Sequence, residues 1–143
     1  MSKKKNITIE NVIVTDAGAK GKSVAKAPDG RVIFINNAIP GDVVDVQTTK
    51  KKSAYYEGFA TKFHEYSNRR VTPVCAHFGY CGGCKWQDMN YESQLFYKQK
   101  EVENNLVRLG KITIPELMPI VASENIYFYR NKMEFSFSDM RWL

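Results

Sequence analysis

Five short segments with the residue pattern of β-strands fill the first half of the chain, and they restrict its fold more than any other feature. Each segment alternates apolar and polar residues or carries a β-branched run, which is typical of strands with one buried face. Turn-forming residues separate the segments, as at Pro28-Asp29-Gly30. The predicted strands cover residues 7–15, 23–27, 31–35, 42–48 and 55–63. This arrangement predicts a small closed barrel.

The chain changes character after Val71, where one helix and one further strand are expected. The helix is predicted over residues 91–109, with Asp88 or Asn90 as its N-cap and Gly110 as its stop. Its apolar stripe is expected to pack in a core and consists of Tyr91, Leu95, Val102, Leu106 and Leu109. A half-buried strand is predicted at residues 133–137, where Met133, Phe135 and Phe137 alternate with polar residues. The fold class is therefore mainly β followed by α+β.

Length and composition exclude several classes of protein. The 143 residues, of which 43% are hydrophobic and 25% charged, suit one domain or two small ones. No apolar run approaches the roughly 20 residues of a membrane helix, and the basic residues 1–6 precede no apolar targeting core. We expect a cytoplasmic monomer that does not contact a membrane.

The net charge of +6 lies entirely in the first half of the chain and favours a polyanionic partner such as RNA. Residues 1–70 hold thirteen basic and seven acidic side chains, whereas residues 71–143 hold eight of each. The candidate RNA contacts are Lys20, Lys22, Lys50, Lys51, Lys52, Arg69, Arg70, Arg130 and Lys132. Tyr55, Tyr56, Phe59 and Phe63 are candidates for stacking on bases, although strand alternation assigns about half of them to the core.

Three cysteines within ten residues, Cys75, Cys81 and Cys84, form the most specific motif of the chain. An odd number of clustered cysteines indicates thiolate ligands for a metal rather than a disulfide framework. Zinc accepts three cysteines and one histidine, for which His77 or His64 is a candidate, whereas an iron–sulfur cluster ordinarily takes four cysteines. Because the sequence given ends on the large apolar side chains of Trp142 and Leu143, we expect that the polypeptide continues in a longer protein, and the number of cysteines then leaves both metals open.

The chain resembles the iron–sulfur RNA 5-methyluridine methyltransferases, in particular those that act on uracil in 23S ribosomal RNA. The resemblance rests on residues 67–75, 78–87 and 91–98, which read SNRRVTPVC, FGYCGGCKWQ and YESQLFYK, and on YRNKMEFSF at 129–137. Residues 18–21 and 39–44, GAKG and IPGDVV, resemble the TRAM domain of the same family, a small OB-like RNA-binding barrel. The resemblance covers nearly the whole chain.

This resemblance implies a TRAM barrel over residues 1–66, part of a central domain over residues 67–143, and a methyltransferase domain that this chain lacks. In the family, Cys75, Cys81 and Cys84 correspond to three ligands of a [4Fe–4S] cluster, and the fourth ligand is expected beyond residue 143. S-adenosylmethionine binds in the missing domain, so no catalytic or cofactor-binding residue is expected here. The chain would serve as the RNA-binding and cluster-binding part of an RNA (uracil-5-)-methyltransferase, inactive when alone. The alternative is a self-contained RNA-binding module with a zinc knuckle and no catalysis.

Overall fold

Five strands form the first half of the molecule in a computed structural model that describes residues 7–129. The strands are β1 (Thr8–Ala17), β2 (Ser23–Lys26), β3 (Val32–Asn36), β4 (Val43–Lys51) and β5 (Tyr55–Glu65). They close into a barrel in the order β1-β2-β3-β5-β4, and β4 pairs again with β1. All pairs are antiparallel except β3 with β5. The closed barrel predicted from the sequence is confirmed, with each strand close to its expected position.

The alternation of the strands fills the barrel with β-branched side chains. The fully buried residues include Ile33, Ile35, Val44 and Val46, and each such side chain contributes roughly 1.5–3 kcal/mol when removed from water. Gly58 lies where β4 and β5 approach most closely, because a Cβ atom there would stand 2.4 Å from the carbonyl oxygen of Gln47. The barrel therefore requires glycine at this position.

A single long helix follows the irregular segment after the barrel. It runs as α1 (Tyr91–Asn104) and continues as a π-helical segment (Asn105–Leu109) that ends at Gly110. The side chain of Asn90 accepts a hydrogen bond of 2.9 Å from the Ser93 amide, so Asn90 is the N-cap. Asp88, the other candidate cap, pairs with Arg70 instead. None of the helices within residues 7–129 is long and apolar enough to cross a membrane.

The predicted apolar stripe of the helix is not a buried face among the described residues. Val102 and Leu109 are exposed, and the buried side chain of α1 is Tyr97. Tyr97 packs with Ile39 and Met89 against the barrel, so the helix docks on a different face from the one the spacing indicated. The Lys100 ammonium group also pairs with the Asp16 carboxylate of β1 at 2.7 Å. The strand expected at residues 133–137 lies outside the described residues.

A buried ionic network joins the barrel to the segment that leads to the helix. The carboxylate of Asp42, which is fully buried, accepts hydrogen bonds from the amides of Ile39 and Ser67 at 2.7 and 2.9 Å. It also accepts from Arg70 Nε at 2.9 Å and from a terminal guanidinium nitrogen of Arg70 at 2.7 Å. The other terminal nitrogen of Arg70 donates to Asp88 at 2.8 Å. These contacts hold residues 66–90 against one end of the barrel.

Candidate nucleic-acid surface and cysteine loop

Two aromatic side chains form a platform on the outer face of the barrel. Phe34 on β3 and Tyr55 on β5 meet edge to face, with ring centroids 5.5 Å apart. Their sequence neighbours Ile33, Ile35 and Tyr56 are buried, so alternation turns Phe34 and Tyr55 outward. Rings that are held in place and half-exposed are suited to stacking on nucleic-acid bases. We call Phe34 and Tyr55 the aromatic platform.

Sequence reasoning found only half of this platform. Tyr55 was among the stacking candidates, but Phe34 was missed, although its place between the inward Ile33 and Ile35 indicates an outward position. Lys26 was also missed: it is exposed on β2 in register with Val32, which in turn pairs with Tyr55. Cross-strand register, rather than any local motif, brings these residues together.

The other stacking candidates have different surroundings. Tyr56 is a core residue, 3% exposed, whose hydroxyl donates to the Asp29 carboxylate at 2.8 Å. Stacking of a base on Tyr56 is therefore excluded by its burial. Phe63 stacks on Tyr66 at 5.1 Å between ring centroids. Phe59 is exposed on the outer face of β5, beside Asn36 of β3.

The lysine candidates divide into two groups according to their ion pairs. Lys22 and Lys50 both contact the carboxylate of Glu57, at 3.0 and 3.5 Å. Lys20, Lys51 and Lys52 are exposed, and no ion pair involves them within residues 7–129. The second group therefore carries charge that is available to phosphate.

The arginine candidates at the end of the barrel differ in the same way. Arg69 is exposed and makes no ion pair within the described part of the chain. Arg70, whose side chain is only 20% exposed, is held by Asp42 and Asp88. The geometry gives Arg70 a structural partner in place of a phosphate. Arg130 and Lys132 lie outside the described residues.

Two carboxylates on the barrel surface are held in their charged form by their neighbours. The hydrogen bond from Lys22 is the main cause that lowers the pKa of Glu57, with a smaller contribution from Lys50. The pKa of Asp45 is lowered by a hydrogen bond from the Asn11 amide and by His64, whose Nε2 lies 2.7 Å from Asp45. His64, one candidate zinc ligand, thus contacts a carboxylate of β4.

The three cysteines lie in one exposed loop that is folded back by short-range hydrogen bonds. The amide of Phe78 donates to the Cys75 carbonyl at 3.1 Å, and the amides of Tyr80 and Cys81 donate to the His77 carbonyl. The side chain of Gln87 spans the loop, because its Oε1 accepts from the Cys75 amide at 2.7 Å while its Nε2 lies 3.8 Å from Cys84 Sγ. The ends of the motif are therefore already tied together.

The loop supplies the donors for a thiolate-bound metal without assembling them. No three His, Cys, Asp or Glu side chains within residues 7–129 are placed to hold one ion together. The donor set nevertheless fits an iron–sulfur cluster or zinc, because three thiols of one loop are exposed and free of disulfides. Gly79 and Gly82 have positive φ angles of 86° and 71°, and within residues 7–129 nothing packs where a Cβ would stand.

Comparison with known proteins identifies the barrel. Residues 3–61 match the TRAM domain, so the closed five-stranded barrel is a TRAM domain. The chain is also homologous to proteins named RNA methyltransferase. It is 55% identical over 125 residues to an uncharacterized RNA methyltransferase of Bacteroides thetaiotaomicron, a match that covers 87% of this chain and 27% of the relative.

Two further relatives agree with this assignment. An uncharacterized RNA methyltransferase of Porphyromonas gingivalis is 45% identical over 130 residues, covering 91% of this chain and 28% of the relative. The 23S rRNA (uracil(1939)-C(5))-methyltransferase RlmD of Acidovorax sp. is 38% identical over 127 residues, covering 85% and 26%. The resemblance inferred from the sequence, to TRAM-containing RNA methyltransferases of the 23S rRNA type, is confirmed. The chain spans about 27% of the length of the relatives it matches.

Proposed function

We propose that this chain is the RNA-binding and cluster-binding part of an S-adenosylmethionine-dependent RNA (uracil-C5) methyltransferase that acts on 23S rRNA. The observation that carries the proposal is the aromatic platform, Phe34 and Tyr55, on the outer face of a TRAM barrel with exposed lysines around it. The homologues named RNA methyltransferase, among them RlmD, support the reaction class and the ribosomal substrate.

The proposal assigns a different role to each part of the enzyme. Residues 1–66 hold RNA, residues 67–143 are part of a central domain, and S-adenosylmethionine and the catalytic residues belong to a domain outside this chain. The sequence has no glycine-rich turn between a strand and a helix of the kind that binds nucleotide cofactors. We therefore propose that the chain alone is inactive in methyl transfer, and a cytoplasmic location and a monomeric state belong to the same proposal.

RNA contact on the barrel follows from simple chemistry. Bases stack on Phe34 and Tyr55, and the exposed ammonium groups of Lys26, Lys51 and Lys52 contact phosphates. Neither contact reads base edges, so the barrel holds single-stranded RNA with little sequence preference. Recognition of one particular uridine then belongs to other parts of the enzyme.

A [4Fe–4S] cluster is proposed for the cysteine loop, held by Cys75, Cys81 and Cys84 with a fourth ligand beyond residue 143. When bound, the cluster supplies covalent cross-links between the segments of an exposed loop. Gln87 already spans this loop, so it would fix the spacing between the first and last thiols. Zinc bound by the three cysteines and His77 is the alternative, and it corresponds to a binding module without catalysis.

The RNA surface is tested with the complete 143-residue chain and a fluorescent single-stranded oligouridylate of about 12 nucleotides, a length within the range of one OB fold. Loss of both platform rings in the Phe34→Ala/Tyr55→Ala variant is expected to weaken binding by at least about tenfold, because each stacked base contributes roughly 1–3 kcal/mol. Phe96→Ala, which removes an exposed ring from α1, is the matched control. Unchanged affinity of the double variant would contradict the proposed surface.

Metal analysis tests the cysteine loop separately. Protein prepared without oxygen is expected to contain iron and inorganic sulfide, and Cys81→Ser is expected to lose most of both. One zinc ion per chain without sulfide would contradict the cluster and favour the zinc knuckle.

A further inference from the structure

Glu57 stands in the middle of the surface that we assign to RNA. It is the cross-strand neighbour of Phe34, and it lies two residues after Tyr55 on the same strand and the same outer face. An acidic side chain in this position repels phosphate, so its presence on a nucleic-acid surface requires an explanation. Its contacts provide an explanation, because its carboxylate binds both Lys22, which directly precedes β2, and Lys50 of β4.

We infer that Glu57 competes with RNA phosphate for Lys22 and Lys50. Its carboxylate binds both lysines in the absence of RNA and thereby keeps the RNA affinity of the barrel low. This inference rests on the proposed RNA surface and adds a residue that sets its affinity. Phosphate and carboxylate offer the same kind of oxygen to an ammonium group, so RNA gains these two lysines only by displacing Glu57.

The geometry makes this competition effective. Two of the three charged groups are partly screened from water, with the side chain of Glu57 20% exposed and that of Lys22 29% exposed, which strengthens their attraction relative to free surface charges. Lys22 lowers the pKa of Glu57, so the carboxylate is charged at neutral pH. Lys50 is 62% exposed and 3.5 Å away, and it is therefore the lysine that phosphate withdraws first.

This arrangement suits an enzyme that must release its product. A barrel with every lysine free would bind any RNA tightly, because the phosphate contribution is the same for all sequences. Holding two of the lysines internally weakens non-specific binding and leaves discrimination to contacts elsewhere.

The charge-neutralising variant Glu57→Gln tests the inference with the same oligouridylate of about 12 nucleotides. Two surface ion pairs of this kind lead us to expect binding that is about 2- to 30-fold tighter than that of the wild type. Two additional phosphate contacts should also steepen the logarithmic dependence of affinity on salt by up to about 1.4 units, at about 0.7 per contact. A steeper slope distinguishes released lysines from a general structural effect.

Glu65→Gln is the matched control, since it makes the same charge change on the same strand, and Glu65 has no ion pair within residues 7–129. We expect it to change affinity by less than about twofold, as for a surface charge without a specific partner. An equal gain in RNA affinity for Glu65→Gln and Glu57→Gln would show that only the net charge of the chain matters, and it would overturn the inference.

Removing the two lysines completes the test. Lys22→Gln with Lys50→Gln in the Glu57→Gln background should cancel the gain of Glu57→Gln and return the affinity to within about threefold of the wild type, because no released lysine is left to contact phosphate. An RNA affinity that is unchanged by Glu57→Gln, or a gain that persists after both lysines are removed, overturns the inference while leaving the RNA surface in place. Absence of RNA binding by every variant would instead remove the proposed function as well. Thermal unfolding confirms that each variant is folded, and Glu57→Ala, which removes the same charge, takes the place of Glu57→Gln if that variant does not fold.

Discussion

Replacing Arg70 by alanine should destabilise the whole chain, because this side chain joins the barrel to the segment that carries the cysteine loop. Arg70 provides two of the four hydrogen bonds that the fully buried Asp42 carboxylate accepts, and one to Asp88. Its guanidinium group also lies 5.0 Å from the centre of the Phe63 ring. The Arg70→Ala variant leaves Asp42 with the two backbone amides of Ile39 and Ser67 as its described partners.

The expected loss follows from the burial of the acceptor. Removing one partner of a buried ion pair costs roughly 3–5 kcal/mol, and the 20% exposure of Arg70 admits some water in its place. A destabilisation of about 2–3 kcal/mol is therefore expected. At about 4 °C per kcal/mol for a chain of this size, the midpoint of thermal unfolding should fall by about 8–12 °C.

Circular dichroism during heating measures this change, and Arg69→Ala provides the matched control one residue away. Arg69 is exposed and forms no ion pair within residues 7–129, so its loss should alter stability by less than about 0.5 kcal/mol. A midpoint for Arg70→Ala within about 2 °C of the wild type, or an equal fall for Arg69→Ala, would refute the structural role of Arg70 and return it to the RNA candidates.

Three further outcomes are expected from the structure. Burial raises the pKa of the Asp88 carboxyl group, and the nearby Arg70 offsets only part of that rise. Asp88 therefore stays protonated to a higher pH in the folded state than in the unfolded state. The wild type should therefore lose stability relative to Asp88→Asn as the pH rises from about 4 towards 7, and equal pH profiles in urea unfolding would contradict this. Gly58→Ala should cost about 1–3 kcal/mol in the same assay, since its Cβ must separate β4 from β5, and a neutral result would exclude that close approach. Replacing Lys20, Lys51 and Lys52 together by alanine should reduce the slope of log affinity against log salt concentration by up to about 2. An unchanged slope would show that these lysines do not contact RNA.

The barrel could be predicted because each of its strands is recognisable from the residue pattern of a short stretch of sequence. Alternation of side chains along each strand marks both the strand and its buried face, and the buried Ile33, Ile35, Val44 and Val46 are the residues that alternation selects. The N-cap was predictable to one of two residues for the same reason, since a cap needs a short polar side chain just before the first turn.

The ion pairs were not predictable, because they depend on which strands become neighbours. Lys22 and Glu57 are 35 residues apart, and Arg70 and Asp42 are 28 apart, with no sequence pattern linking either pair. The helix shows a related limit. Its apolar spacing indicated a buried face, but the helix docks through Tyr97, which leaves Val102 and Leu109 of that stripe exposed.

The most direct measurement of the central claim is photo-crosslinking of single-stranded RNA that contains 4-thiouridine to the complete chain, followed by mass spectrometry of the attached peptides. A base stacked on the platform places its reactive group against Phe34 and Tyr55. We therefore expect crosslinked peptides from β3 and the first half of β5, and their loss in the Phe34→Ala/Tyr55→Ala variant. Crosslinks confined to the cysteine loop or α1, with none on the barrel, would contradict the assignment of RNA binding to the TRAM domain.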